Sequence, residues 1–308
     1  MPLTQLNFQP GIDTENTATG AEGKWIDCDK IRFRKGLPQK IGGWTKFSPE
    51  YYVGVGRALE QWFALDGSRL EALGTDRKVY AYASGTSQDI TPIRSTEALV
   101  NAISTTSSSA IVTITDTAHG AIQGDFVTLS NVSIDVGGIT AATLDAEYEI
   151  LSIANVDAYT IQSSATASSA VGPTANCTVN YQLNIGPSEQ TFGYGWGAGT
   201  WNAGTWNTTR TTSQITLDAR LWSINNWGED LIITQKDGGT YEWDTSAGMT
   251  DNRATVIANA PTTSTLSMIS TETRHVVCMG TETTIGSVGT QDKMFIRWSD
   301  QENYNQWT

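Results

Sequence analysis

Short apolar runs, each followed by turn residues and then by alternating apolar and polar positions, dominate this chain. The clearest run lies within residues 229–244. There an apolar segment at 231–233 precedes Asp237-Gly238-Gly239, and Tyr241 and Trp243 then alternate with polar residues. This pattern predicts two strands joined by a tight turn, with the positive φ angles of the turn supplied by these three residues.

Two further segments follow the same plan. Residues 70–82 predict a hairpin with its turn at 74–76, and a third, shorter copy begins at His275 and ends near residue 303. Three separated copies of one hairpin predict radially repeated four-stranded blades, as in a β-propeller. At about 40 to 45 residues per blade, the chain outside the insert defined below predicts roughly four blades. The aromatic residues predicted to lie in the blade cores are Tyr80, Tyr82, Tyr241, Trp243 and Trp298.

Changes in composition along the chain predict four segments of an all-β protein. Residues 1–47 are an extended N-terminal segment interrupted by Pro and Gly, with one strand predicted at 25–33. Residues 48–94 form the first part of the propeller. The Ser-, Thr- and Ala-rich residues 95–182 form an inserted small β-barrel or sandwich domain. Residues 183–308 carry the remaining blades, and we expect the unclosed last unit to be completed by further chain or by a neighbour.

The charge is unevenly distributed. Residues 1–94 carry 12 Lys and Arg against 11 Asp and Glu, 95–209 carry none against 9, and 210–308 carry 7 against 12, which sums to a net charge of −13. Phosphate-backbone binding needs clustered cations, so this balance disfavours it as the main task. The exception is a cluster that is either a contact to DNA phosphates or a partner, or a solvated strand face. It comprises Lys30, Arg32, Arg34, Lys35, Lys40 and Lys46.

Three tryptophans recur in a Gly- and Asn-rich stretch at Trp196, Trp201 and Trp206. A step of five residues matches neither a strand face nor a helix stripe, and the intervening residues favour tight turns. The indoles therefore project either into packing or subunit contacts, or towards a sugar on which they stack.

Residues with catalytic or metal-binding chemistry are sparse. Cys28, Cys177 and Cys278 are scattered and odd in number, which predicts reduced thiols, and the two histidines, His119 and His275, form no zinc motif. His119 lies between two predicted strands and is interpreted as a turn residue. No nucleophile elbow or phosphate-binding loop occurs, so no cofactor and no catalytic residue is predicted. No apolar run is long enough to span a bilayer or to serve as a signal peptide. Paired carboxylates for glycoside hydrolysis stay open, because spatial pairs are invisible in sequence.

Several motifs resemble those of one protein family. The N-terminal L-N-F-Q-P-G-I-D-T-E-N-T and G-K-W-I-D-C-D-K-I-R-F-R-K-G-L-P-Q-K-I-G-G-W, with the later G-T-D-R-K-V-Y-A-Y, D-G-G-T-Y-E-W-D and I-R-W-S-D-Q-E-N, resemble a family of short-tailed bacteriophage tail proteins. The family is described as tail tubular protein B, the nozzle, or a DNA-stabilisation tail protein. The resemblance covers residues 1–94 and 183–308, and the insert is similar to small β-domains found in many virion proteins.

The resemblance implies a structural, non-enzymatic virion protein made in the host cytoplasm. Its expected form is a propeller-bearing subunit in a six-fold ring below the portal and adaptor, with the adaptor and other tail proteins as partners. Double-stranded DNA would pass through the lumen without sequence-specific binding. The alternatives are a binding module for host-surface carbohydrate, using Trp196, Trp201 and Trp206, and a tail depolymerase.

Overall fold

The computed structural model describes residues 9–43, 45–46, 51–184, 186, 219–249 and 252–307. The chain divides into two compact units, residues 1–49 and 50–308. Strands dominate the second unit, and the first contains one two-stranded hairpin. Among the described residues, helical segments are limited to α1 (Ala141–Leu144) and two 3₁₀ turns. The prediction of an all-β fold is therefore confirmed.

The N-terminal unit contains one hairpin, formed by β1 (Ile31–Arg34) and β2 (Leu37–Lys40). Lys35 and Gly36 make the turn with φ angles of 51° and 80°, the left-handed conformations that a two-residue hairpin requires. The strand predicted at residues 25–33 starts later in the structure than predicted. Trp25 forms an isolated bridge with Ile12, and the regular ladder begins only at residue 31.

The second unit contains three four-stranded antiparallel sheets, each with its strands in chain order. The first sheet consists of β3 (Gly56–Phe63), β4 (Arg69–Thr75), β5 (Val79–Ala83) and β6 (Thr86–Asp89). The second consists of β15 (Trp222–Trp227), β16 (Asp230–Gln235), β17 (Thr240–Trp243) and β18 (Thr255–Val256). The third consists of β19 (Leu266–Ile269), β20 (Val276–Met279), β21 (Ile296–Asp300) and β22 (Asn303–Trp307). This meander order is the one found in propeller blades.

The predicted hairpin at 229–244 is confirmed by the β16–β17 ladder, but its turn chemistry differs. Of the three turn residues, only Asp237 has a positive φ, of 55°. The turn predicted at 74–76 was also wrong. Gly74 lies inside β4, and the chain turns between Thr75 and Val79. A Cβ added at Gly74 would lie 2.9 Å from Cδ1 of the Trp222 indole. Its glycine serves close packing between sheets and not a bend in the chain.

The first sheet packs face to face on the second. Trp222 of β15 lies against Gly74, and its Nε1 donates a hydrogen bond of 2.6 Å to the Thr75 carbonyl oxygen. Trp62 of β3 and Trp243 of β17 meet edge to face with ring centroids 6.4 Å apart. Burial of these rings and of the aliphatic residues around them supplies the main stabilisation of this contact.

The third sheet packs on the other face of the second sheet. Trp227 of β15 contacts Tyr304 of β22 with ring centroids 5.5 Å apart, and Ile232, Val276 and Cys278 are fully buried in this second core. At both contacts the first strands of neighbouring sheets, β3 with β15 and β15 with β19, lie next to each other. The three sheets are therefore stacked in one row, with their first strands next to one another.

The predicted insert forms an eight-stranded antiparallel sheet with its own core. Its strands are β7 (Ile93–Leu99), β8 (Ile103–Thr105), β9 (Ile111–Thr115), β10 (Phe126–Ser130), β11 (Glu147–Asn155), β12 (Ala158–Gln162), β13 (Val171–Thr174) and β14 (Cys177–Gln182). Their order in the sheet is β13-β8-β9-β12-β11-β10-β14-β7, and the sheet is not closed into a barrel. The first and last strands of this insert pair with each other, with Ile93 opposite Gln182.

Glu282 is a buried carboxylate that organises the loop between β20 and β21. Its oxygens accept hydrogen bonds from the backbone N–H of Thr262 at 2.7 Å, Thr263 at 2.8 Å and Gly286 at 3.0 Å. Burial acts to raise the pKa of Glu282, but these hydrogen bonds favour the ionised form and outweigh it. The pKa is therefore lowered from its ordinary value of 4.5.

We expect Glu282→Gln to lower the free energy of unfolding at pH 7 by about 1–3 kcal/mol. An amide offers one acceptor oxygen and presents an NH₂ donor to backbone N–H groups. Because the folded pKa is depressed, the carboxylate's contribution is complete above roughly pH 5 and is lost as the pH falls through the folded pKa. The difference between wild type and variant in urea unfolding should therefore narrow in acid. Glu302→Gln, at an exposed position, is the control, and an equal loss in both variants would contradict the assignment.

Candidate functional site

The third sheet leaves one face without a neighbouring sheet in the described structure. Its registers place Leu266 opposite Met279 and Ile296, and Met268 opposite Val277 and Trp298. Paired residues share a face, so six apolar side chains form two parallel rows. The exposed fractions of Leu266, Met268, Ile296 and Trp298 are 40%, 45%, 49% and 50%. We call these six residues the outer face of the third sheet.

The first sheet has a corresponding face on the side away from the second sheet. Leu59 of β3 is 72% exposed and Phe63 is 61% exposed, with the Arg69 guanidinium 5.8 Å from the Phe63 ring centroid. Register places Leu73 beside Leu59, and Glu71 beside Gln61 and Tyr82. The outer face of the first sheet comprises Leu59, Gln61, Phe63, Arg69, Glu71, Leu73, Tyr80, Tyr82, Ser87 and Asp89. Its β6 edge is not open, because Asp89 is ion-paired there with Lys78, which also contacts Glu147 of the insert.

These two faces lie at opposite ends of the row of sheets, since the other faces of the same sheets pack on the second sheet. A contiguous exposed apolar surface on a sheet commonly marks a site where another macromolecule binds. Neither face presents a nucleophile or a paired acid. Their chemistry is suited to docking and assembly.

The five aromatics predicted to be core residues do not share one environment. Trp243 is 1% exposed and Tyr80 is 8% exposed, while Tyr82 and Tyr241 are partly buried. Trp298 was wrongly predicted as a core residue. The alternation of β21 buries Ser299 and directs Trp298 to the outer face of the third sheet.

The predicted basic cluster lies on the hairpin of the N-terminal unit. All of its members are exposed, and Arg32 and Arg34 share one face of β1. Arg32 Nε donates to Gln39 Oε1 at 3.2 Å, and Lys30 Nζ lies 3.5 Å from Asp29 Oδ2. The hairpin therefore presents several solvated cations on a short scaffold, although Lys30 keeps a carboxylate beside it. The cluster residues on the hairpin and its flanks are Lys30, Arg32, Arg34, Lys35 and Lys40.

The three repeated tryptophans, Trp196, Trp201 and Trp206, lie outside the described residues, so their predicted packing or sugar-stacking role stays a prediction. His119, interpreted as a turn residue, is 3% exposed and takes part in a turn. Its Nδ1 accepts a hydrogen bond from the Ala121 N–H at 3.0 Å, and its ring packs edge-on to Tyr159. His275 Nδ1 lies 2.7 Å from the Ser299 carbonyl oxygen. Within the described ranges, no three His, Cys, Asp or Glu residues are grouped as metal ligands.

A groove of about 660 Å³ runs along β11 of the insert. Its two carboxylates, Glu147 and Glu149, are already ion-paired, with Lys78 at 2.7 Å and with Arg77 at 2.8 Å. Glycoside hydrolysis needs one carboxyl group that holds a proton and a second that is free to act. Two ion-paired carboxylates on one strand face do not meet this requirement.

The ionic joint that attaches the insert to the first sheet was not predicted from the sequence. Lys78 is 3% exposed, and its ammonium group contacts Asp89 at 2.8 Å, Glu147 at 2.7 Å and the Phe126 ring at 4.3 Å from its centroid. Arg253 of the second sheet's connector contacts the other oxygen of Asp89 at 2.9 Å. The sequence feature that could have indicated this joint is the absence of Lys and Arg from residues 95–182, close to Arg77 and Lys78 in the hairpin of the first sheet.

This joint sets the charge of Asp89. Burial acts to raise its pKa, but the positive charges of Arg253 and Lys78 outweigh burial and lower it. Asp89 is therefore ionised near neutral pH and fixes both cations. Residues 95–182 contain no Lys or Arg, so the cations that hold the insert belong to the four-stranded sheets.

No protein-family model matches the chain, and no curated protein matches it. Among solved structures, the chain is similar to the phage phi92 endosialidase at 12% identity and a TM-score of 0.25. The match covers 88% of this chain and 39% of that structure, so the chain spans about two fifths of its length. A TM-score this low does not establish a shared fold. Among the described residues, no helix is long and apolar enough to cross a membrane.

We expect Lys78→Met to lower the free energy of unfolding by about 3 kcal/mol, because it leaves Asp89 and Glu147 partly buried without their shared cation. The neighbouring Arg77→Met is the matched control. It removes a pair whose side chains are 34% and 48% exposed, and we expect a cost below about 1 kcal/mol. Urea unfolding gives the free energies, and limited proteolysis reports release of the insert. Equal effects of the two substitutions would show that Lys78 is not the joint.

Proposed function

We propose that this protein is a structural subunit of a short-tailed bacteriophage tail, of the nozzle or tail tubular protein B type. In this role, copies assemble into a ring below the portal and adaptor, most simply a hexamer, and the ring encloses the path of the genomic DNA. The support is the set of N-terminal and hairpin motifs that resemble this family, together with the architecture of the sheets.

The observation that carries the proposal is the pair of exposed apolar faces at the two ends of the row. A ring subunit needs two different surfaces, one for each neighbour, and heterologous contacts of this kind close into rings when the rotation permits. Rows of packed sheets with both end faces exposed meet that requirement. By contrast, the carboxylates of the groove in the insert are occupied by ion pairs.

The charge distribution agrees with a channel that lets DNA pass. A net charge of −13 opposes tight binding of a polyanion. Salt screens such repulsion beyond about 10 Å at 0.1 M. The exposed cations of the β1–β2 hairpin are the exception. We assign them to contact with the adaptor or to a few phosphates at the rim of the ring.

The location and assembly can be tested together. Electron microscopy of virions carrying a tagged copy should place the tag in the tail as a ring, and native mass spectrometry of tail complexes should give a ring stoichiometry. Virions without this protein are the control for the assignment of density. Detection of single copies in the tail, or of the tag only in the capsid, would contradict the proposal.

The isolated protein should bind duplex DNA weakly near physiological salt, because few cations are clustered outside the hairpin. A gel-shift titration across salt concentrations measures this directly. Arg32→Glu with Arg34→Glu should change the result little, and Arg57→Glu provides a comparison outside the hairpin. Tight, strongly salt-dependent binding that disappears in the double variant would instead make the hairpin a DNA clamp.

A further inference from the structure

We propose that the buried side chain of Arg220 forms a binding site for a small oxyanion, a phosphate or a carboxylate taken up from solution. The site lies where the insert joins the first and second sheets. It goes beyond the function proposed above and does not depend on it, because it concerns a ligand of the single chain.

Arg220 is a buried cation with orphaned donors. Its residue is 5% exposed, and among the described residues its buried Nε and Nη1 atoms have no hydrogen-bond partner. Burial lowers the pKa of Arg220 to about 10, while the nearby Asp125, Tyr241 and Asp76 act in the opposite direction. The guanidinium therefore stays charged at neutral pH. A buried charge without a hydrogen-bonded partner is costly, and such a group commonly marks a bound ion or water.

The two nearby carboxylates are held by other donors. Asp76 Oδ1 accepts a hydrogen bond from the Val55 N–H at 2.7 Å. Asp125 Oδ2 accepts hydrogen bonds from the Ile122 N–H at 2.8 Å and from Asn184 Nδ2 at 2.6 Å. These bonds fix the positions of both carboxylates while the Nε and Nη1 groups of the guanidinium stay without a partner.

The surroundings of the guanidinium suit an anion. A Cβ at Gly186 would lie 2.6 Å from Arg220 Cβ and 2.9 Å from its Nε, so a side chain there would cover this donor and glycine does not. The Trp222 ring supports the cation, with its centroid 5.4 Å from Cζ. Arg57 of β3 brings a second positive charge, since its Nη1 donates to the Arg220 carbonyl oxygen at 3.4 Å. Guanidinium N–H groups make their strongest hydrogen bonds with anionic oxygens.

Titration of the full chain in Tris–chloride buffer tests the site, with inorganic phosphate and acetate as separate probes. Isothermal titration calorimetry should show saturable one-to-one binding of at least one probe, which identifies phosphate or carboxylate as the preferred group. Arg220→Gln should weaken this binding by at least about tenfold. Arg69→Gln, which makes the same substitution at an exposed position, should bind like wild type. Sodium chloride at equal ionic strength controls for screening.

Thermal unfolding distinguishes an anion site from a purely structural arginine. Without phosphate or acetate, Arg220→Gln should unfold at the same temperature as wild type or higher, because it removes an uncompensated buried charge. With the bound probe the order should reverse, because a ligand that binds only the folded state stabilises it by mass action.

The inference is overturned if neither probe binds saturably, or if Arg220→Gln binds as tightly as wild type. It is also overturned if Arg220→Gln is less stable than wild type by the same margin with and without the probe. If Arg220→Gln does not fold, Arg220→Lys tests the same site, since it keeps the charge and removes the guanidinium. Unchanged affinity in Arg220→Lys would then overturn the inference.

Discussion

The packing of the Trp222 indole on Gly74 is the contact on which the arrangement of the sheets depends. It brings the first and second sheets to a separation that only a glycine at position 74 permits, and its indole N–H is satisfied by the Thr75 carbonyl oxygen. A buried indole without such a partner would lose much of what its burial contributes. The second sheet then offers its other face to the third sheet, where Trp227 and Tyr304 form the equivalent contact.

A row of sheets built in this way always has two ends. Each four-stranded sheet has two faces, and three sheets in one row bury four faces and leave two. Among the described residues, no further four-stranded sheet packs on these two end faces. The proposed assembly follows from this geometry and from the sequence motifs together, since neither one alone identifies both the partner and its setting.

Much of the fold was predictable because hairpins are local. The β16–β17 hairpin and the all-β class follow from apolar runs, turn residues and period-two alternation within short windows. Gly74 was misread as a turn residue because Trp222, the residue that requires it, lies far away along the chain. Trp298 was misplaced because alternation shows that a strand has two faces but not which face a neighbour covers. The Lys78 joint was missed for a related reason, since its partners come from three separate segments.

The pairing of β7 with β14 has a consequence for how such a chain changes over time. The polypeptide departs from the sheets at Ile93 and rejoins them at Gln182, its direct partner in the ladder. Because its two ends are paired residues, the eight-stranded domain connects to the four-stranded sheets as a short loop would. The entropy of closing a loop grows only slowly with its length. The domain can therefore be lost, enlarged or replaced while the surrounding sheets keep their register, provided that a counter-charge for Lys78 is retained. Modular exchange at this point is open to selection at little thermodynamic cost.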